Sequence, residues 1–141
     1  MTSLKVNETI LVTGGAGFIG SNFVINWLNQ SLGKVVNLDL LTYAGNEENL
    51  ASLVNNKDHI FVKGNIADDK LVSALMLEYK PRAIINFAAE SHVDRSIENP
   101  GDFITTNING TYNLLECARK YWLSLVQEKK SHFRFLHVST D

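Results

Sequence analysis

Five short apolar runs, separated by stretches patterned for helices, constrain this chain more than any other feature. The runs are Thr9–Thr13, Lys34–Asp39, His59–Lys63, Ala83–Phe87 and Phe133–Ser139. They show little of the two-residue alternation of a half-exposed strand, as expected for parallel strands covered on both faces. Between them, apolar residues recur at helical spacing. Ile19, Phe23, Val24, Trp27 and Leu28 form one stripe; Leu71, Val72, Leu75, Met76 and Tyr79 form another, with Asp68 placed to cap it. Residues Glu47–Val54 read as a short helix within the second crossover. The longest helix is predicted from near Asp102 to about Glu128, with Ile104, Ile108, Leu115, Ala118 and Trp122 along one face. That is about twice the average helix length, which suggests a second buried face such as a dimer seam. Gly110 inside it marks a close contact. Strands alternating with right-handed helical crossovers give a doubly wound, Rossmann-like parallel sheet of the α/β class, with residues 1–141 as one domain.

Composition narrows the partners. Lys plus Arg number 13 against 15 Asp plus Glu, so net charge gives no reason to expect nucleic acid or an anionic membrane surface. No basic stretch followed by an apolar one opens the chain, and no apolar run approaches the roughly 18 residues of a membrane span. Cys117 is the single cysteine, so an internal disulfide is ruled out and a cytoplasmic location is expected. Its helical context makes Cys117 a small core residue rather than a nucleophile. His59, His92, His132 and His137 lack ligand spacing, so no metal site is expected, and His137, inside a strand, reads as a core residue.

In a doubly wound sheet, ligands sit beyond the C-terminal ends of the strands. After the first strand comes Thr13-Gly14-Gly15-Ala16-Gly17-Phe18-Ile19-Gly20 and then a helix. Gly14, Gly17 and Gly20 are spaced for a sharp turn, for close approach of a pyrophosphate, and for tight helix–strand packing, in that order. The helix N-terminus adds free N–H groups and a positive dipole end. Asp39 ends the second strand, where a carboxylate accepts hydrogen bonds from the adenosine ribose hydroxyls and repels a 2′-phosphate. The pair points to NAD rather than NADP; a flavin nucleotide or a mononucleotide is the alternative, and a turn-forming aspartate is the bland reading of Asp39.

TGGAGFIGSNF, LTYAGN, FAAESHVDRSIENP, TNINGT and FLHVSTD together resemble the extended short-chain dehydrogenases that act on nucleotide sugars, the epimerase and dehydratase family. The segments FAAESHVDRS and STD favour its 4,6-dehydratases. The resemblance implies Phe18 and Ile19 at the pyrophosphate turn, with Leu40, Leu41 and Thr42 along the adenosine. It puts Asn65 and Ile66 at the adenine. Phe87, Ala88 and Ala89 follow beside the ribose–phosphate, where the alanines leave room. Thr106 would touch the cofactor and Ser91 both cofactor and sugar. Two positions depart from the family: Leu40, where lysine is common, and Asn65, where an aspartate usually meets the adenine amino group and an amide oxygen would have to accept instead.

The implied reaction oxidises C4 of a nucleotide-activated hexose, eliminates water across C5 and C6, and returns the hydride to C6. By resemblance Asp141 is the acid for the C6 hydroxyl and Thr140 hydrogen-bonds near the C4 hydroxyl, touching the substrate. The family continues past this point with a glutamate, a tyrosine and a lysine and then a substrate-binding domain, so residues 1–141 read as an incomplete NAD-binding domain. The 141-residue chain by itself is expected to be inactive, to bind NAD poorly and to expose an apolar sheet edge. The full-length protein is expected to be a homodimer. The alternatives are an NAD-dependent nucleotide-sugar epimerase and a non-catalytic NAD-binding module.

Overall fold

The apolar runs form strands that pair side by side, and the helical stripes cover both faces of the resulting sheet. The computed structural model describes residues 8–41, 47–87, 101 and 105–138. In chain order it runs β1 (Thr9–Thr13), α1 (Phe18–Asn29), β2 (Lys34–Asp39), a 3₁₀ segment (Glu47–Leu53), β3 (His59–Lys63), α2 (Asp69–Tyr79) and β4 (Ala83–Asn86). A π-helical turn (Thr105–Gly110), α3 (Thr111–Ser124), α4 (Gln127–His132) and β5 (Arg134–His137) complete it. The sheet order is β3-β2-β1-β4-β5, and every pairing is parallel. The chain winds outward from β1 through β2 to β3, then returns to the other side of β1 with β4. That reversal opens a crevice past the ends of β1 and β4, where ligands of doubly wound sheets bind.

Strand parity explains the unbroken apolar sequence of the strands. Leu11, Val36, Leu38 and Ile84 point to a core shared with Val72, Leu75 and Met76 of α2 and Leu114, Cys117 and Tyr121 of α3. Ile10, Val12, Val35 and Ile85 point the other way, onto Val24 and Leu28 of α1 and Leu50 and Leu53 of the 3₁₀ segment. Asp68 caps α2 by accepting from the Leu71 N–H at 3.1 Å.

The last helices depart most from expectation. The segment predicted as one helix is interrupted at Leu125, whose ψ of 152° is extended, and α3 and α4 are separate. Ser124 Oγ donates to the Tyr121 carbonyl at 2.6 Å, tying up a last-turn acceptor where the helix stops. The inward face of α3 is Leu114, Cys117, Ala118 and Tyr121. Of the predicted stripe only Ala118 faces that core; Ile108, Leu115 and Trp122 lie outside, and Ile104 is outside the described residues. Both sets step by threes and fours, so spacing alone does not choose between them. In α1, Ile19 is likewise exposed, and Gly20, Ser21, Val24 and Leu28 form the buried side. His137 is exposed, because β5 is an edge strand; its Nδ1 accepts from Asn86 Nδ2 at 3.0 Å. Cys117 is buried, as expected, and burial raises its thiol pKa, so the neutral form persists.

Candidate functional site

The crevice end of the sheet is organised around the turn after β1. Gly14 has φ +74°, a left-handed conformation that a side chain would strain, and its N–H reaches across to the Leu38 carbonyl of β2 at 2.9 Å. The chain then folds back, with the Gly17 N–H donating to the Gly14 carbonyl at 3.3 Å, and enters α1. A Cβ on Gly20 would press on the Gly14 carbonyl oxygen and lie 2.9 Å from the Gly15 Cα. The third glycine of the spacing therefore lets the helix sit directly on its own turn. No side chain caps α1 at Gly17, which leaves first-turn N–H groups for a ligand. Phe18 and Ile19 open the helix with 78% and 62% of their surface exposed, so they flank the crevice instead of joining the core.

Asp39 lies across from this turn and is nearly buried. Its Oδ2 accepts from the Ala16 N–H at 2.8 Å and its Oδ1 from the Leu41 N–H at 2.7 Å. The carboxylate therefore ties the end of β2 to the middle of the glycine turn. It also makes the local turn of the bland reading, with Leu41 held at φ +58°. Each oxygen keeps a second lone pair for a hydroxyl donor. The glycine cradle and this carboxylate fit a dinucleotide: unpaired N–H groups for the phosphates, and an acceptor one strand away for the ribose.

Several residues that hold the site escaped the spacing of the motif. Gly15 lies directly over the buried Asn37 side chain, and a Cβ there would come within 2.6 Å of Asn37 Cγ. Asn37 Nδ2 donates to His59 Nε2 at 3.2 Å, while its Oδ1 has no hydrogen-bond partner. Asn49 of the 3₁₀ segment donates to the Ala16 carbonyl at 2.9 Å, so both polar groups of that peptide are held. Thr13, Asn86 and His137 sit in register on β1, β4 and β5, and Thr13 Oγ1 donates to Asn86 Oδ1 at 2.5 Å. Polar residues closing three adjacent apolar strands were the available signal for this last group.

Leu40 is half-exposed beside Asp39, and Phe87 packs on Phe23 with ring centroids 5.5 Å apart. Ile66 is buried, so its side chain belongs to the core and only its backbone is left for a ligand. Thr106 lies in the π-helical turn. Thr42, Ala88, Ala89, Ser91, Thr140 and Asp141 lie outside the described residues. Among the described residues, no three His, Cys, Asp or Glu side chains are grouped to hold a metal ion, and no helix is long and apolar enough to cross a membrane.

The family model for GDP-mannose 4,6 dehydratase matches residues 11–141. The chain belongs to this family. Within the GDP-mannose 4,6 dehydratase family it is 62% identical, over 133 residues, to a dTDP-glucose 4,6-dehydratase of Xanthomonas campestris pv. campestris, covering 94% of this chain and 38% of that protein. An Escherichia coli dTDP-glucose 4,6-dehydratase is 54% identical over 132 residues, again 94% of this chain but 36% of the relative. The chain thus spans little more than a third of the length of these relatives. Its fold matches the Bacillus anthracis dTDP-glucose 4,6-dehydratase solved in complex with NAD, with a TM-score of 0.77 at 41% identity over 94% of this chain and 37% of that one. It also matches a Thermotoga maritima UDP-glucose 4-epimerase, with a TM-score of 0.70 at 35% identity over 80% of this chain and 34% of that one.

Proposed function

We propose that this chain supplies the cofactor cradle and part of the active site of an NAD-dependent dTDP-glucose 4,6-dehydratase, which forms dTDP-4-keto-6-deoxy-glucose. The observation that carries the cofactor reading is the Asp39 carboxylate bound at 2.8 Å to the Ala16 N–H across the glycine turn. It sets a fixed negative charge one strand from an anion-binding helix start, an arrangement that accepts ribose hydroxyls and disfavours a 2′-phosphate. Identities of 62% and 54% to dTDP-glucose 4,6-dehydratases support the substrate.

NAD, when bound, supplies the acceptor that turns C4 into a ketone and the donor that reduces C6. Gly14, Gly17, Phe18, Ile19 and Gly20 would hold its pyrophosphate, and Asp39, Leu40, Leu41 and Thr42 its adenosine. Phe87, Ala88, Ala89, Ser91 and Thr106 would line the rest. Once C4 is a carbonyl, the C5 proton is acidic, and loss of the C6 hydroxyl needs a proton on that oxygen. Asp141 gives this proton, which requires its carboxyl to stay protonated near neutral pH through burial beside another carboxylate. Thr140 hydrogen-bonds near the C4 hydroxyl, and Ser91 contacts the sugar. The epimerase reading needs no such acid, because no water leaves.

The exposed outer face of α3, with Tyr112, Leu115 and Trp122, supports a homodimer, and a single cysteine supports a cytoplasmic protein. The test is incubation of the full-length polypeptide with dTDP-glucose, read by mass spectrometry. Loss of one water, abolished by Asp141→Asn while exchange of the C5 hydrogen with solvent deuterium persists, is expected. Epimerised product of unchanged mass would overturn the dehydratase reading.

A further inference from the structure

We propose that Asn65 makes the adenine end of the site a hydrogen-bond donor, so that the protein binds nicotinamide hypoxanthine dinucleotide about as tightly as NAD. The inference rests on the NAD reading and concerns which base that site selects. With phosphates at the turn after β1 and ribose at Asp39 on β2, the base extends toward the next strand outward, β3. The residues leaving β3 are Gly64, Asn65 and Ile66, and the Gly64 N–H is tethered to the Asp39 carbonyl at 3.0 Å.

The loop is fixed on every side. Asn65 Oδ1 accepts from the Ala67 N–H at 2.9 Å, and the Asn65 carbonyl accepts from the Asp68 N–H at 3.0 Å. The Ile66 side chain is buried, and its carbonyl accepts from Asn113 Nδ2 of α3 at 2.6 Å. The Ala67 N–H requires an acceptor, which decides how the Asn65 carboxamide is turned. Oxygen faces its own loop; the NH₂ group is left over in a partly buried side chain.

Adenine offers a donor at N6 and acceptors at its ring nitrogens, whereas hypoxanthine has an acceptor oxygen at position 6 and an N1–H. A carboxylate at this position, as in Asn65→Asp, has acceptors only: it pairs with the amino group and repels the oxygen. The Asn65 NH₂ pairs with a ring nitrogen of adenine or with the hypoxanthine oxygen, and loses the basis for discrimination.

The experiment is calorimetric titration of the cofactor-free, full-length protein with NAD and with nicotinamide hypoxanthine dinucleotide, in wild type and Asn65→Asp. Aspartate can still accept from the Ala67 N–H, so the loop is retained. Dissociation constants within about threefold of each other are expected for wild type, and a preference for NAD of about tenfold or more for Asn65→Asp. A wild type that prefers NAD by about tenfold or more overturns the donor assignment and leaves the NAD reading standing, and so does a ratio unmoved by Asn65→Asp. Failure of both dinucleotides to bind wild type overturns both. If Asn65→Asp does not fold, the wild-type ratio alone decides.

Discussion

Gly15 lies outside the three-glycine spacing, yet a side chain there would meet the buried Asn37 as closely as one on Gly20 would meet its own turn. In Gly15→Ala the new methyl group would come within 2.6 Å of Asn37 Cγ, well inside contact distance. Asn37 is fully buried in the second strand and has no room to swing away. Forcing one methyl group into such a site costs roughly 1–3 kcal/mol. Displacing Asn37 also breaks its 3.2 Å bond to His59, worth about 1 kcal/mol. The sum is about 2–4 kcal/mol, which at a slope of roughly 2 kcal/mol/M lowers the urea midpoint by about 1–2 M. The decisive comparison adds Asn37→Ala. Removing the carboxamide makes space for the methyl group, so the double variant should be at least about 1 kcal/mol more stable than the two single losses predict together. Because Ala16 carries the N–H that Asp39 holds, the affinity of Gly15→Ala for NAD should fall and recover in parallel. Strictly additive losses, within about 0.5 kcal/mol, would show that Gly15 and Asn37 do not meet.

Two further outcomes test the surroundings of the site. His59 is half-buried and accepts from Asn37, and burial lowers its pKa. The unfolded chain takes up a proton near pH 6.5 that the folded chain resists, so stability should be full above about 6.5 and fall as pH drops through that value toward the lower folded one; urea midpoints from pH 7.5 to 5 should show this fall in wild type and a flatter profile in His59→Gln, and equal slopes would refute it. Leu115 is 47% exposed on the outer face of α3, so Leu115→Glu in the full-length protein should leave helicity unchanged and halve the mass measured by sedimentation equilibrium; an unchanged mass would remove α3 from the interface.

What the amino-acid sequence discloses depends on how local the cause is. β1, β2 and β3 begin and end where the apolar runs do, because strands covered on both faces need apolar residues throughout, and a polar residue or glycine ends them. The turn after β1 was equally legible: a left-handed Gly14 and a close-packed Gly20 are demands of a few consecutive residues. The break at Leu125 was not. Leu125 is a good helix former, and the chain leaves the helix there, with Ser124 Oγ on the Tyr121 carbonyl, before it lays β5 beside β4, a pairing that no window of helical spacing contains.

The same distinction separates the residues that form the cradle from those that hold it. Asp39 could be named because its place at the end of the second strand is a fixed offset from the glycines. Asn37, Asn49 and Asn113 could not, since each acts on a backbone segment distant in sequence: Asn37 under Gly15, Asn49 on the Ala16 carbonyl, Asn113 on Ile66. All three are carboxamides, which carry a donor and an acceptor without charge: Asn49 and Asn113 give the donor to a peptide carbonyl, while Asn37 gives it to His59 and keeps a buried Oδ1 without a partner. Asn65 belongs to the same class but has one end left over. Its oxygen is turned toward the Ala67 N–H, whereas the family resemblance, with an aspartate at this position, would have aimed that oxygen at the base. A departure from a family pattern is thus read best from which of its atoms the fold has already used.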